Sequence, residues 1–400
     1  MNWRIFSKKA EMEAGVTIDI GSKSVGGAIF MIGAVKPTLL YTTREKLPFM
    51  KTLTEKNLST ALYKALDLVT LQLEKYCIEH LRGTQKRYRV AYVDVVISSP
   101  WNASETKTLS VKFKDATIVT EVMIRELLSK EETAFEERYG SDSEGVPMHS
   151  VLERKILEIR LNGYPTARPY GKKVGALEIR MLTSIMMSGT LEKIKRTISN
   201  RFPESQPRFH TFLAVAFTST RDLFPEIENF LVVQVGGEVS DIAIMKRGSI
   251  TEIASTPSGH NSLLRAFGKI CSDHPNCTLE GLLKIHREVG IQTTDQKEVE
   301  AAILETKRLW LEHFNSAISN FSEETFLPKV VFLFEERPYT SLFEDFLREA
   351  ESSQFTATAE PFIINAVDVE KSPIFAEFDK NVLHDEILAM EASFTSKLES

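Results

Sequence analysis

The chain has 400 residues, 42% of them hydrophobic and 26% charged, which is typical of a soluble globular protein. It carries 49 basic and 55 acidic side chains, and this net charge of −6 gives no support to a nucleic-acid-binding protein, which would present a basic surface. The longest apolar run, residues 25–35, is too short for a membrane-spanning helix, which needs roughly 20 apolar residues.

The first ordered pattern along the chain is a β-hairpin. Runs of β-branched and apolar residues at 16–20 and 25–32 flank a short turn of glycine and serine, which predicts two antiparallel strands. Apolar residues at helical spacing then predict a helix over 58–77. The apolar segment 92–98 predicts a buried strand, which ends just before a proline.

A compact module is predicted over residues 89–187, with the order strand, helix, strand, strand. Its amphipathic helix spans 121–139 and follows Thr120, a suitable N-cap residue. Its two later strands are predicted at 156–161 and 174–187.

The remainder of the chain alternates strands with helices, which predicts an α/β protein. A helix at 191–202 leads to a second hairpin over 230–253. The elements predicted after this hairpin are helices at 262–271, 296–321 and 340–350, a strand at 329–334, and an amphipathic helix within 381–400.

The two hairpins resemble each other, because each joins two strands through a turn of small residues with an aspartate nearby. Glycines let the backbone approach a ligand closely, and successive backbone N–H groups in a tight turn form a concavity that binds anions such as phosphate. The candidate phosphate-binding residues are Asp19, Gly21, Ser22, Lys23 and Ser24 in the first hairpin and Gly236, Gly237, Ser240 and Asp241 in the second. The two aspartates are also candidate ligands for a metal ion or its waters.

A P-loop is a competing interpretation of the first turn. We reject it because Ser22 stands before Lys23 where the P-loop has glycine, and Thr17 occupies the position of the upstream glycine.

Four segments resemble motifs of the bacterial actin-like FtsA/PilM family. Asp-Ile-Gly-Ser-Lys-Ser-Val at 19–25 is similar to the family's first phosphate motif, and Val-Gly-Gly-Glu-Val-Ser-Asp-Ile-Ala at 235–243 is similar to its second. Thr-Pro-Ser-Gly-His at 256–260 resembles the turn that follows, which adds Ser258 and Gly259 to the expected nucleotide-binding residues. Val-Val-Ile-Ser-Ser-Pro-Trp, which begins at Val95, resembles the opening strand of the family's inserted module.

The resemblance runs from about residue 14 to 350, and it implies a two-lobed actin-like ATPase fold, shared with Hsp70 and sugar kinases, that carries a small inserted α+β module. The implied organisation is a first lobe at 14–88 and 188–222, the inserted module at 89–187, a second lobe at 223–365, and a C-terminal tail at 366–400. It also implies ATP and Mg²⁺ as ligands, with the ion on Asp19 and Asp241.

The function that the resemblance implies is a scaffold or adaptor on the cytoplasmic side of the inner membrane, which organises a cell-division or type IV pilus machine. Its partners would be inner-membrane proteins of that machine, and further copies of the chain are also expected partners. The tail at 384–400 carries four acidic residues (Asp385, Glu386, Glu391 and Glu399) and one lysine, so anionic lipid would not hold it. The resemblance therefore favours PilM, which a membrane partner recruits, over FtsA.

Two departures from the family pattern weaken the expectation of ATP hydrolysis. Gln234 stands where the family has an aspartate, and a neutral amide is a poorer ligand for Mg²⁺ and its waters. Glu335 and Glu336 stand where a Gly-Gly pair should contact adenosine, and carboxylates there would crowd a nucleotide and repel its phosphates. We therefore expect weak or lost ATPase activity; the alternative is an active ATPase of the same fold.

A zinc site is the other chemical interpretation that the sequence offers. Cys271, His274 and Cys277 lie close together, but structural zinc commonly has four ligands and no fourth has convincing spacing, although His286 is an option. A plain loop between helices is the preferred interpretation. The odd number of cysteines also predicts a reducing compartment.

Overall fold

The computed structural model describes residues 12–33, 35–50, 52–81, 88–139, 148–271, 294–321, 327–335, 339–350, 362–367 and 372–399. In chain order the strands are β1 (Met12–Ile20), β2 (Ser24–Met31), β3 (Thr38–Lys46), β4 (Tyr88–Ile97), β5 (Asn102–Ile118), β6 (His149–Leu161), β7 (Tyr164–Pro165), β8 (Lys173–Met187), β9 (Pro207–Thr211), β10 (Asn229–Val235), β11 (Ser240–Lys246), β12 (Ser249–Thr256), β13 (Val330–Phe334), β14 (Ile363–Val367) and β15 (Glu377–Phe378). The helices are α1 (Glu55–Tyr76), which continues as a π-helical turn (Cys77–Leu81), α2 (Glu121–Tyr139), α3 (Ser188–Arg201), α4 (Phe212–Leu223), α5 (His260–Cys271), α6 (Thr294–Ser319), α7 (Thr340–Arg348), α8 (Ser372–Phe375) and α9 (Glu386–Glu399).

Two of the three sheets repeat one five-stranded plan. The first contains the order β3-β2-β1-β4-β9, and the second has the order β12-β11-β10-β13-β14. In each sheet, the first three strands in this order are antiparallel neighbours. The last two run parallel to the third, which is β1 in the first sheet and β10 in the second. The predicted hairpins are therefore the central strand and its antiparallel neighbour in each sheet, and we refer to the two sheets with their helices as the first and second lobes.

The third sheet, with the order β5-β8-β6-β7, forms the inserted module together with α2. The helix begins where the sequence predicts, and the Thr120 hydroxyl caps it by accepting a hydrogen bond from the Met123 N–H at 3.2 Å. The segment 92–98, however, was wrongly predicted to open this module. As β4, it pairs with β1 and β9 in the first sheet. Val93, Val95, Val96 and Ile97 are buried because both faces of a central parallel strand are covered, and Asp94 among them is also fully buried.

The C-terminal segment is part of the core and is not a separate tail, which corrects the prediction for residues 366–400. The end of β14 belongs to the second sheet, whereas β15 pairs with β3 at the edge of the first. The last helix, α9, packs on β1 and α4, in the apolar cluster that the two lobes share. Glu391 on this helix is also fully buried, and Thr17 on β1 donates a hydrogen bond to one of its carboxylate oxygens at 2.9 Å.

Among the described helices, none combines the length and the apolar character that crossing a membrane requires.

Candidate functional site

The two small-residue turns, 21–23 and 236–239, face each other across the space between the lobes. Each follows the carboxyl end of the central strand of its sheet. They touch directly, since the Glu238 backbone N–H donates a hydrogen bond to the Ser22 hydroxyl at 2.9 Å. All the residues predicted to bind phosphate lie in or beside these turns, so the structure brings the two motifs together.

Gly237 in the second turn and Gly259 in the neighbouring segment lie where two stretches of backbone are in close contact. A Cβ on Gly237 would lie 2.7 Å from the backbone N of Lys23, and one on Gly259 would lie 2.5 Å from the carbonyl oxygen of Gly236. The sequence predicts that these glycines allow a phosphate to approach the backbone closely. In the structure, the atoms that approach them belong to the opposite turn and to the neighbouring segment of the same lobe.

Some of the backbone N–H groups that were expected to bind an anion already donate hydrogen bonds within the protein. Gly21 N–H donates to the Ser24 carbonyl at 3.0 Å, and Gly236 N–H donates to the Val239 carbonyl at 2.9 Å. With the Glu238 N–H on Ser22, three donors of the two turns are directed to protein acceptors.

Arg44 on β3 places its positive charge beside Asp19, the predicted metal ligand. Its Nη1 lies 2.6 Å from the Asp19 carboxylate and 2.9 Å from the Ser24 hydroxyl. Its Nε and Nη2 bind both oxygens of Asp385 at 2.7 and 3.1 Å. Asp385 in turn caps α9 by accepting a hydrogen bond from the Leu388 N–H. A guanidinium therefore neutralises the carboxylate that was expected to hold a metal, and joins it to the C-terminal helix.

Lys23 in the first turn pairs with Glu335 at the end of β13. The Nζ to Oε1 distance is 3.1 Å, and the Glu335 side chain is fully buried. His260, at the start of α5, holds its Nδ1 3.6 Å from the same oxygen. A carboxylate of the protein thus pairs with the only lysine of the two predicted phosphate motifs.

The predicted second metal ligand, Asp241, lines a different cavity from Asp19. Its carboxylate accepts a hydrogen bond from the Ser255 hydroxyl at 2.5 Å and shares its cavity with Ser99 and Asn102. Burial raises the pKa of Asp241, although hydrogen bonds from Ser255 and Ser99 oppose that shift. The two aspartates are therefore not arranged around one ion, and in the described part of the chain no group of three or more His, Cys, Asp or Glu side chains is placed to hold a metal.

The remaining predicted residues make contacts within the second lobe or between the lobes. Ser240 donates to the Ser258 carbonyl at 2.5 Å and accepts from the Trp310 indole at 3.1 Å. The Ser258 hydroxyl lies 2.5 Å from His313 Nδ1. Gln234 donates its amide hydrogen to the Ser98 hydroxyl at 2.9 Å, from the second lobe to the first.

These contacts do not fit Mg²⁺ and ATP bound between the turns. Phosphates there would have to displace the Ser22–Glu238 hydrogen bond and the buried carboxylate of Glu335. A metal ion on Asp19 would have to displace Arg44. Glu336, the other residue expected to crowd adenosine, lies outside the described residues, as do His274, Cys277 and His286 and the side chain of Cys271 from the zinc hypothesis.

The sequence did not reveal the participation of Arg44, Asp385, His260 and Glu391. A charged residue in the middle of a strand pattern is the signal that could have identified Arg44, since an arginine inside a buried strand needs a carboxylate partner. One partner of Arg44, Asp385, lies 341 residues away in the sequence and has no local signature.

No protein-family model and no curated protein sequence matches the chain. Among solved structures, a chain of the PilM–PilN type IV pilus biogenesis complex is 14% identical, with 96% of this chain and 98% of that chain covered and a TM-score of 0.59. The ethanolamine utilization protein EutJ from Carboxydothermus hydrogenoformans is 9% identical over 96% of this chain and 89% of that one, with a TM-score of 0.42. A Bacteroides thetaiotaomicron protein with an actin-like ATPase fold is 12% identical over 98% of this chain and 99% of that one, with a TM-score of 0.35. The chain has the two-lobed actin-like ATPase fold, as predicted.

Proposed function

We propose that this protein is an actin-like scaffold or adaptor whose work is to bind protein partners, with weak or lost ATPase activity. It serves on the cytoplasmic side of the inner membrane, where it organises a type IV pilus machine or, as the alternative assembly, a cell-division machine. A membrane partner recruits it, and further copies of the chain are candidate partners. The similarity in fold to PilM from a pilus biogenesis complex favours the pilus.

The observation that carries the proposal is the set of charges that the chain places in its own cleft. Arg44 forms an ion pair with Asp19, the predicted metal ligand, and Glu335 forms an ion pair with Lys23, a predicted phosphate-binding residue. Asp19 and Arg44 both belong to the first sheet, whereas Lys23 and Glu335 join the two lobes. The chain's own charges therefore neutralise the residues that MgATP would need to contact.

The alternative is an active ATPase of the same fold, with Mg²⁺ on Asp19 and Asp241. It requires the Asp19–Arg44 pair to open and the buried Asp241 to turn toward the cleft. A phosphate-release assay with saturating ATP and Mg²⁺ separates the two functions. We expect no turnover above that of Asp19→Asn, the variant that lacks the carboxylate on which a metal would depend.

The scaffold role is tested by affinity capture with the full chain from detergent-solubilised bacterial membranes. Recovery of inner-membrane proteins of a pilus or division machine, repeated by reconstitution with the purified partner, supports the proposal. Recovery of soluble metabolic enzymes contradicts it.

A further inference from the structure

The inserted module is built on three long paired strands, β5, β8 and β6, which contact the lobes near one end. At its root, β5 and β6 pair with the end of β8 near Met187, and Trp101, just before β5, donates its indole N–H to the Gly21 carbonyl at 3.0 Å. β8 has 15 residues, so its other end lies roughly 50 Å along the strand at about 3.4 Å per residue. The loops at that end form the distal tip.

The distal tip exposes large apolar side chains close together. Ile118, Val122 and Tyr170 are 54%, 60% and 55% exposed. The loop that carries Tyr170 is joined to the end of β5 by two backbone hydrogen bonds, Gly171 N–H to the Val119 carbonyl and Val119 N–H to the Lys172 carbonyl, both at 2.9 Å. Val122 follows in the first turn of α2, so the three apolar side chains share one end of the module.

Basic side chains lie in the loop that carries Tyr170, whereas the acidic residues Asp115 and Glu121 lie near Ile118 and Val122. The segment 162–175 contains Arg168, Lys172 and Lys173 and no acidic residue, in a chain whose net charge is −6. All three basic side chains are exposed, and within the described residues none forms an ion pair. Ile118 is the register partner of Lys173, and directly opposed residues of antiparallel strands point to the same face of the sheet. An aliphatic side chain and an ammonium group are therefore presented side by side.

We propose that the distal tip docks on an anionic lipid surface. Lysine and arginine are attracted to acidic headgroups, tyrosine is favoured at the boundary between headgroups and acyl chains, and aliphatic side chains bury there. Each basic side chain contributes roughly a fivefold gain in affinity, so the three support weak, reversible binding. Nucleic acid also attracts basic and aromatic groups, but it gives the exposed Ile118 and Val122 no role.

This surface gives the proposed scaffold a second contact with the membrane and does not rest on its partners or its cleft. The test is co-sedimentation of the full chain with vesicles of phosphatidylcholine that contain phosphatidylglycerol, compared with vesicles of phosphatidylcholine alone. We expect binding to the anionic vesicles only, with an affinity that falls as salt is added.

Charge reversal of Lys172 and Lys173 to glutamate should lower the affinity for anionic vesicles by roughly tenfold or more. The matched control reverses Lys56 and Lys64, two exposed lysines of α1, and should leave binding unchanged. Ile118→Ser should weaken binding at high salt as well, because its contribution is apolar. Equal loss in the tip and control variants, no wild-type binding to anionic vesicles at low salt, or tighter binding to single-stranded RNA than to vesicles overturns the proposal.

Discussion

The Nζ of Lys23 lies 3.1 Å from the fully buried carboxylate of Glu335, so the first small-residue turn is bound across the cleft to the end of β13. Removing one member of a buried pair leaves an uncompensated charge. We expect Lys23→Met to lower the free energy of unfolding by about 2–4 kcal/mol. In a Glu335→Gln background the same substitution should cost much less, because no carboxylate is left unpaired. Urea denaturation of the four variants of this cycle measures the coupling.

The control cycle uses Lys307 and Glu349, which are 2.7 Å apart with the glutamate side chain 58% exposed. An exposed ion pair of this kind contributes about 0–1 kcal/mol to the free energy of unfolding. If the Lys23–Glu335 coupling is no larger than that of the control, the pair does not hold the lobes together.

Gly237 is required by the contact between the two turns. A Cβ there would lie 2.7 Å from the backbone of Ser22 and Lys23, and neither can move without shifting a turn. We expect Gly237→Ala to destabilise the protein by about 1–3 kcal/mol, measured by thermal and urea unfolding. Gly189→Ala is the matched control: it has open space in α3 and should be neutral or stabilising by up to about 1 kcal/mol. A neutral Gly237→Ala would show that the turns do not touch.

Arg44 connects Asp19 with Asp385, the residue that caps α9. Arg44→Met leaves both carboxylates without this counterion and should cost about 2–4 kcal/mol. It should also speed hydrogen exchange of the α9 amides, since the helix loses its tie to β3. Arg201→Met, which breaks partly exposed ion pairs with Asp67 and Glu74, should cost under about 1 kcal/mol and leave α9 protected. Unchanged exchange of α9 in Arg44→Met would contradict this connection.

Burial and, to a smaller extent, the nearby Asp19 carboxylate raise the pKa of Glu391 well above its usual value. The folded protein then keeps a proton that the unfolded chain releases, so stability falls as pH rises from the ordinary glutamate pKa to the raised one. Glu391→Gln removes this pH-dependent loss of stability, because glutamine does not ionise. When unfolding is measured from pH 4 to 8, the stability of the variant relative to the wild type should increase as pH rises. A parallel pH profile for Glu391→Gln would mean that Glu391 is ionised when folded.

Much of the fold follows from local sequence patterns. The hairpins, α1, α2 and the helices of the second lobe have apolar residues at the period of their element, because each buries one face or one stripe. In β3 the polar residues Thr42 and Arg44 are partly or fully buried and interrupt the apolar pattern, so the strand was not predicted. β5 was missed for the opposite reason: one of its faces is solvent-exposed and its sequence is largely polar.

The sequence predicted where the site lies but not which side chains contact its turns. Small residues and aspartates at two strand ends identified the turns, whereas the groups that meet them depend on long-range contacts. α9 shows the limit most clearly: its periodicity predicts an amphipathic helix, yet Glu391 and Thr395 on its polar positions are buried between the lobes. No local pattern shows that distant parts of the chain will bury these polar residues.

Calorimetric titration of the full chain with ATP, with and without Mg²⁺, tests most directly whether the cleft is held by the chain's own charges. With Arg44 beside Asp19 and Glu335 beside Lys23, we expect no saturable binding up to about 1 mM ATP, which corresponds to a binding free energy weaker than about −4 kcal/mol. A micromolar dissociation constant that tightens with Mg²⁺ would contradict the account.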